Sequence, residues 1–256
     1  MFRFYLKKLL RCPATYIGAL LIAASMIYSV AGELEVCMPL YLFQCAMYVG
    51  ILPFFLPIAS VLPVCYIRHA LRKNAAFQFP LLHSSPVRYS LGGLAASAIS
   101  GAFVSLLGLA LFTLFVLIAL PGPVDIQTAL FSEEKPLYEG MSGPTIFLVQ
   151  AFILAANCAM FPCIAYAVSA FSANQYVCAT APFALWMLLM ALMQGLYQLK
   201  QARVFLILDP AQVQLGGLMA GSKDGGLIYM CIYIFCVIAF CGGLFLTQLK
   251  KRLKNG

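Results

Sequence analysis

Six long stretches of this sequence contain no Asp, Glu, His, Lys or Arg: 13–31, 42–66, 90–120, 145–167, 176–197 and 227–246. Few features limit a fold more tightly. An ordinary soluble domain is about 25% charged, whereas this chain is 9% charged and 63% hydrophobic. Each stretch can supply the roughly 20 apolar residues that a helix needs to cross a bilayer. Lipid offers no hydrogen bonds to a bare backbone, so a spanning segment satisfies its own as a helix. The expected fold is an all-α integral membrane protein with six transmembrane helices. The polar connections are too short to hold an independent soluble domain, so residues 1–256 are read as a single transmembrane domain.

The first residues have a different character. Over residues 2–11, FRFYLKKLLR, Phe2, Tyr5, Leu6, Leu9 and Leu10 fall on one arc at 100° per residue, and Arg3, Lys7, Lys8 and Arg11 on the other, with Phe4 the exception. The pattern predicts an amphipathic N-terminal interfacial helix, its four cations anchoring it at the membrane surface. A cleaved signal peptide ending at Ser29-Val30-Ala31 is the competing reading. It is disfavoured because the rest of the chain is itself polytopic and the first apolar run is long enough to remain as a span.

The second apolar run, Val36 to Ile67, is 32 residues long. It exceeds one upright crossing and falls short of two with a turn. Its first residues are read as external and 42–66 as the span, with kinks expected at Pro53, Pro57 and Pro63. The connection 68–89 follows, with Arg68, Arg72, Lys73, Arg88, both histidines and no acid. Asn74 is placed to cap a short helix that Pro80 ends. Ser84 or Ser85 is placed to cap the next helix, with Pro86 in its first turn, and that helix continues into the third span. The connection 198–226 is partly apolar, and its reading stays open between a surface loop and a re-entrant segment.

Charge sets the expected orientation. Six crossings put the N-terminus, 68–89, the FSANQ link at 171–175 and the C-terminus on one side. Of the sixteen Lys and Arg, four lie in 3–11, four in 68–88 and four in 250–254; all eight acids lie on the other side. Excess Lys and Arg in short loops marks the cytoplasmic face, so both termini are expected to be cytoplasmic. The net charge of +8 then reads as a membrane-surface feature and not as a nucleic-acid footprint.

Catalytic and metal chemistry finds little support. The cysteines show no C-x-x-C, and Cys231, Cys236 and Cys241 step around a helix by about 140° each, so they share no face. Gly140-Met-Ser-Gly143 resembles the G-x-S-G of rhomboid proteases, but both histidines lie at the opposite face, and no nucleophile–base pair forms. No phosphate-binding G-x-x-x-x-G-K-[ST] loop is present. The chain is expected to be no enzyme and to hold no cofactor. Gln44, Gln150, Asn157 and Gln194 are the amides within the spans; Gln44, Asn157 and Gln194 are candidates for a substrate path or for interhelical hydrogen bonds.

This layout resembles the membrane-spanning permease of ABC-2-type exporters. It shares a basic amphipathic N-terminal helix, six spans with both ends inside, and a cytoplasmic link between spans two and three. The most specific local match is LLHSSPVRYSLGG, Leu81 to Gly93, similar to that family's run of leucines, a small residue, Pro, a basic residue and a glycine opening span three. The acidic residue and Gly-Thr usual before that run are replaced by RKNAAFQF. The resemblance implies a transmembrane subunit in a bacterial inner or plasma membrane, exporting an amphipathic or peptide-like substrate. Its implied partners are the lipid bilayer, a second membrane subunit (identical or homologous) and two ATP-binding cassette subunits, which would hold ATP and magnesium. It also implies that 68–89 acts as a coupling segment, with Arg72, Lys73, Asn74, Phe79, Leu81, Leu82, Ser84, Ser85, Pro86 and Arg88 contacting the ATPase. The alternative is an ATPase-independent polytopic protein, either a secondary carrier or a non-transporting membrane subunit. The lack of ionisable groups within the spans weighs against the carrier.

Overall fold

The computed structural model of the chain describes residues 2–32, 39–73, 85–119, 141–172, 174–197 and 223–255. They form helices α1 (Phe2–Arg11), α2 (Pro13–Val30), α3 (Pro39–Gln44), α4 (Leu52–Lys73), α5 (Pro86–Ala119), α6 (Gly143–Val168), α7 (Gln175–Tyr197) and α8 (Lys223–Asn255), with a π-helical turn at Cys45–Val49 after α3. Six of these helices, α2 and α4 to α8, are long and apolar enough to cross a membrane. The protein is a multi-pass helical membrane protein.

Five of the expected spans agree with the observed helices in place. The second does not. Its run divides at Gly50–Ile51 into α3 with its π turn and a separate helix α4 that begins ten residues later than the expected span and ends at Lys73. Pro53 falls in the first turn of α4, where its missing N–H costs nothing, and Pro57 and Pro63 lie inside it. Leu42, Phe43, Cys45, Ala46 and Met47, before the break, are all buried in the main core; of the residues expected to be external, 36–38 lie outside the described residues, as do the side chains of 39–41. At the break the Ile51 N–H is held by Ser29 Oγ at 3.1 Å, and that hydroxyl donates to Ser25 O at 2.7 Å. A Cβ at Gly50 would lie 1.9 Å from Ser29 Oγ, so only glycine lets the chain pass α2 this closely.

The bundle is tightened by a repeated pairing of proline and glycine. Pro63 and Pro162 have no N–H for the carbonyls four residues earlier, Ala59 O and Cys158 O. Each carbonyl is met by a glycine from a neighbouring helix. A Cβ at Gly18 on α2 would stand 2.5 Å from Ala59 O, and one at Gly101 on α5 would stand 2.1 Å from Cys158 O. Gly101 belongs to the i, i+4 row Gly93, Ser97, Gly101, Ser105, all buried and all small. Small residues bring helix backbones together in lipid, where dispersion and close packing drive association. The row explains why α5 and α6 form the most extensive contact between described helices.

Burial ranks the helices. The apolar windows of α4 and α6 are 61% buried, against 22% for α7 and α8. Helices α4 and α6 are therefore central, and α7 and α8 turn most of their apolar surface outward. Helix α8 also continues beyond the expected end at 246, through TQLKKRLKN to Asn255. Lys, Leu, Gln and Arg are good helix formers, and cations suit a helix C-terminus, so leaving the apolar zone does not end the helix.

Candidate functional site

The feature that ties most elements together is Arg68. On α4 the positions Leu52, Leu56, Ser60, Val64 and Arg68 recur at i, i+4 and all are buried. Side chains at that spacing share one face, so the row that packs the core carries the arginine inward with it. Arg68 is 5% exposed. The expected span boundary at Tyr66 left it in the basic connection as a surface cation. The structure corrects that: it is the buried terminus of a core stripe, and the second span does include an ionisable residue.

Its surroundings explain how a guanidinium resides there. Arg68 Nε donates to Ser169 Oγ at 3.1 Å, and one terminal nitrogen donates to Tyr89 Oη at 3.0 Å. The guanidinium carbon lies 4.6 Å from the ring centre of Tyr166 and 5.0 Å from that of Phe245. Those two rings stack at 4.2 Å, and Tyr5 meets Tyr89 edge-on at 5.9 Å. A planar, delocalised cation suits such aromatic faces and a fork of hydroxyls. The residues come from α1 (Tyr5), α4 (Arg68), α5 (Tyr89), α6 and its following turn (Tyr166, Ser169) and α8 (Phe245). Five helices are thus joined at one end of the bundle, here called the base. Burial holds the Tyr5 hydroxyl above the usual phenol range, so it stays neutral beside the cation.

The same cluster brings together the ends of the segments that carry twelve of the sixteen cations: α1, the end of α4, the start of α5 and the end of α8. Arg3, Lys7, Lys8 and Arg11 are exposed on α1, while Tyr5 and Leu9 are buried beneath it. The amphipathic division expected from the sequence is present, with Lys8 Nζ 4.5 Å from the Phe4 ring centre. Phe2, expected on the apolar arc, is exposed.

The start of α5 is as expected. Ser85 Oγ accepts from Arg88 N–H at 3.3 Å and Ser85 O from Tyr89 N–H at 3.0 Å, with Pro86 the first helical residue. Arg88 is exposed. Of the remaining expected coupling residues, Asn74, Phe79, Leu81, Leu82 and Ser84 lie outside the described residues, as do the side chains of Arg72 and Lys73. The short helix expected from Asn74 to Pro80 and the open reading of 198–222 also lie outside them.

The amide candidates lie on three different elements. Gln44, at the end of α3, and Asn157, within α6, are buried, and Asn157 Nδ2 donates to Ile153 O at 2.9 Å in its own helix. Gln194 is exposed on α7. Gln150, on one α6 face with Asn157, is fully buried, and its amide makes no hydrogen bond among the described residues. Ser142, of the G-x-S-G match, is the residue before α6 and contacts Thr145 Oγ1 at 2.9 Å. It lies at the far end of the bundle from His69, so the two do not pair.

Sequence reasoning missed Arg68, Tyr89, Tyr166 and Phe245 as a unit. The usable signal was the i, i+4 row on α4 that ends on a charge. The chain matches no protein-family profile, no curated protein and no solved structure.

Proposed function

We propose that this chain is the membrane subunit of an ATP-driven exporter, paired with a second membrane subunit and two ATP-binding subunits. The observation that carries this reading is how the two ends of the 68–89 link are held. Its two roots, the end of α4 and the start of α5, are bonded to each other through Arg68 and Tyr89. From a capped start at Ser85, α5 runs 34 residues without a break, about 51 Å at 1.5 Å per residue. A push delivered to the link would move a rigid rod that reaches the opposite end of the bundle. Rigid-body motion of this kind is how a partner's work crosses a membrane.

The base is the cytoplasmic face by its basic excess, in a bacterial inner membrane. There α1 lies with its four cations at the headgroups. ATP and magnesium belong to the partner subunits, and this chain contributes the path for an amphipathic or peptide-like substrate.

Two measurements test the proposal. Leu81→Asp/Leu82→Asp should abolish co-purification of the ATP-binding subunit while the variant still inserts in the membrane. Substrate flux in vesicles should require ATP and both kinds of subunit. ATPase binding that survives removal of 74–84 defeats the coupling role, and flux from this chain alone without ATP makes it an ATPase-independent carrier.

A further inference from the structure

An apolar groove of about 270 Å³ opens between α6, α7 and α8. Its floor includes Phe161 and Val168 on α6, and its walls include Leu185 and Trp186 on α7 and Val237 and Leu244 on α8. Both wall helices are the outward-facing ones, so the groove faces the lipid side. Phe161 and Trp186 meet edge-on at 5.3 Å and give it a firm inner end.

The base end of the groove is positively charged. Continuing the α8 lining row of Val237, Cys241 and Leu244 by the same steps leads to Gln248 and Lys251, and Lys251 is exposed. Seven residues below Leu244 place Lys251 about 10 Å beyond the lining. On α7, which runs the opposite way, seven residues separate lining residue Pro182 from Gln175 at the helix N-terminus, again about 10 Å. The Lys251 ammonium and the α7 N-terminus, which has no acid in its first turn, both lie toward the base from the lining. Asn174 Oδ1 already accepts the Tyr176 N–H at 2.9 Å, which orders that turn. The sequence places no acidic residue in any segment at this end.

We propose that the groove holds an acyl chain of one anionic phospholipid, with its headgroup phosphate at the base end beside Lys251. The inference is independent of the exporter reading; it requires only that the six helices cross a bilayer with the base at a headgroup layer. A uniformly apolar wall selects a hydrocarbon chain, and the charge at the mouth selects the headgroup.

The test uses the full chain in vesicles containing phosphatidylglycerol or phosphatidylcholine with a photoactivatable acyl chain, followed by peptide mapping. Labelling is expected on peptides containing Leu185 and Leu244, stronger with phosphatidylglycerol. Lys251→Gln should lower that headgroup preference about five-fold, the factor for one basic side chain near an anionic surface, and leave some acyl labelling. Leu185→Trp, at a position 44% exposed and so tolerant of change, should remove labelling by both lipids while unfolding at an unchanged temperature. Equal labelling by the two lipids overturns the headgroup assignment. Labelling that persists in Leu185→Trp, or efficient cross-linking of groove residues to a second copy of the chain, overturns the site.

Discussion

Gly101→Ala tests the packing of α5 against α6 where it is tightest. The added methyl carbon would lie 2.1 Å from Cys158 O and 2.7 Å from Pro162 Cγ. Neither obstacle can rotate away, because one is backbone and the other a closed ring. The helices must separate by roughly 1 Å, a gap that already forfeits a quarter to a half of each dispersion contact. Overpacking of this kind costs about 1–3 kcal/mol, and the rigid obstacles argue for the upper part of that range. Alanine also gains about 1 kcal/mol of helix propensity over glycine, which would mask part of the effect. Gly243→Ala on α8 supplies the control, since nothing lies within 4 Å of a Cβ there. The propensity gain is common to both, so their difference isolates the steric cost. Unfolding in mixed micelles can be followed with a thiol dye that reports exposure of the buried Cys158 and Cys163. Gly101→Ala should unfold about 1–3 kcal/mol more readily than Gly243→Ala. Equal stability of the two variants would refute the close approach of α5 to the carbonyl freed by Pro162.

Gly18→Ala should behave like Gly101→Ala, because its obstacle is the Ala59 carbonyl oxygen at 2.5 Å. A double-mutant cycle of Arg68→Met and Tyr89→Phe should show coupling of about 1 kcal/mol, the range measured for interhelical hydrogen bonds in membranes; additivity within 0.3 kcal/mol, of order the usual error for independent sites, would rule out the bond. Ser85→Ala should cost about 1 kcal/mol at the start of α5, seen as faster hydrogen exchange of the Arg88 amide with α6 unaffected. Unchanged exchange there would mean that Ser85 does not cap the helix.

Most of the crossing helices were legible because lipid sets a simple requirement: an unbroken apolar run of sufficient length. The expected spans over 13–31, 90–120, 145–167 and 176–197 end within a few residues of α2, α5, α6 and α7. The second run was harder because its length fits no whole number of crossings, and apolar periodicity does not reveal a break. Gly50 three residues before Pro53 marked the place, but the decisive contact is with Ser29, distant in sequence. Arg68 was misplaced for a related reason. A charge at the end of an apolar run reads as the water boundary, although the buried i, i+4 row of α4 carries this one inward to Tyr89, Ser169 and the rings of Tyr166 and Phe245. The row of small residues on α5 was visible as Gly93, Ser97, Gly101 and Ser105, although its partner helix was not. Of the candidate site, the Ser85-Pro86 start could be read locally, whereas the arginine cluster draws on five helices and no local pattern encodes it.

The bond from Ile51 to Ser29 also orders the making of the protein. The Ile51 N–H freed at the break is taken by the Ser29 hydroxyl, so the 39–51 segment gains this bond only when α2 is already beside it. Chains emerge N-terminus first and their early parts fold first. The hydroxyl that the break uses, itself bonded to Ser25 O in the folded chain, is therefore synthesised before the residue that needs it. Moving the same broken segment ahead of α2 in a permuted chain would strand that amide during insertion. The order of elements along this sequence is part of what makes its interrupted helix possible.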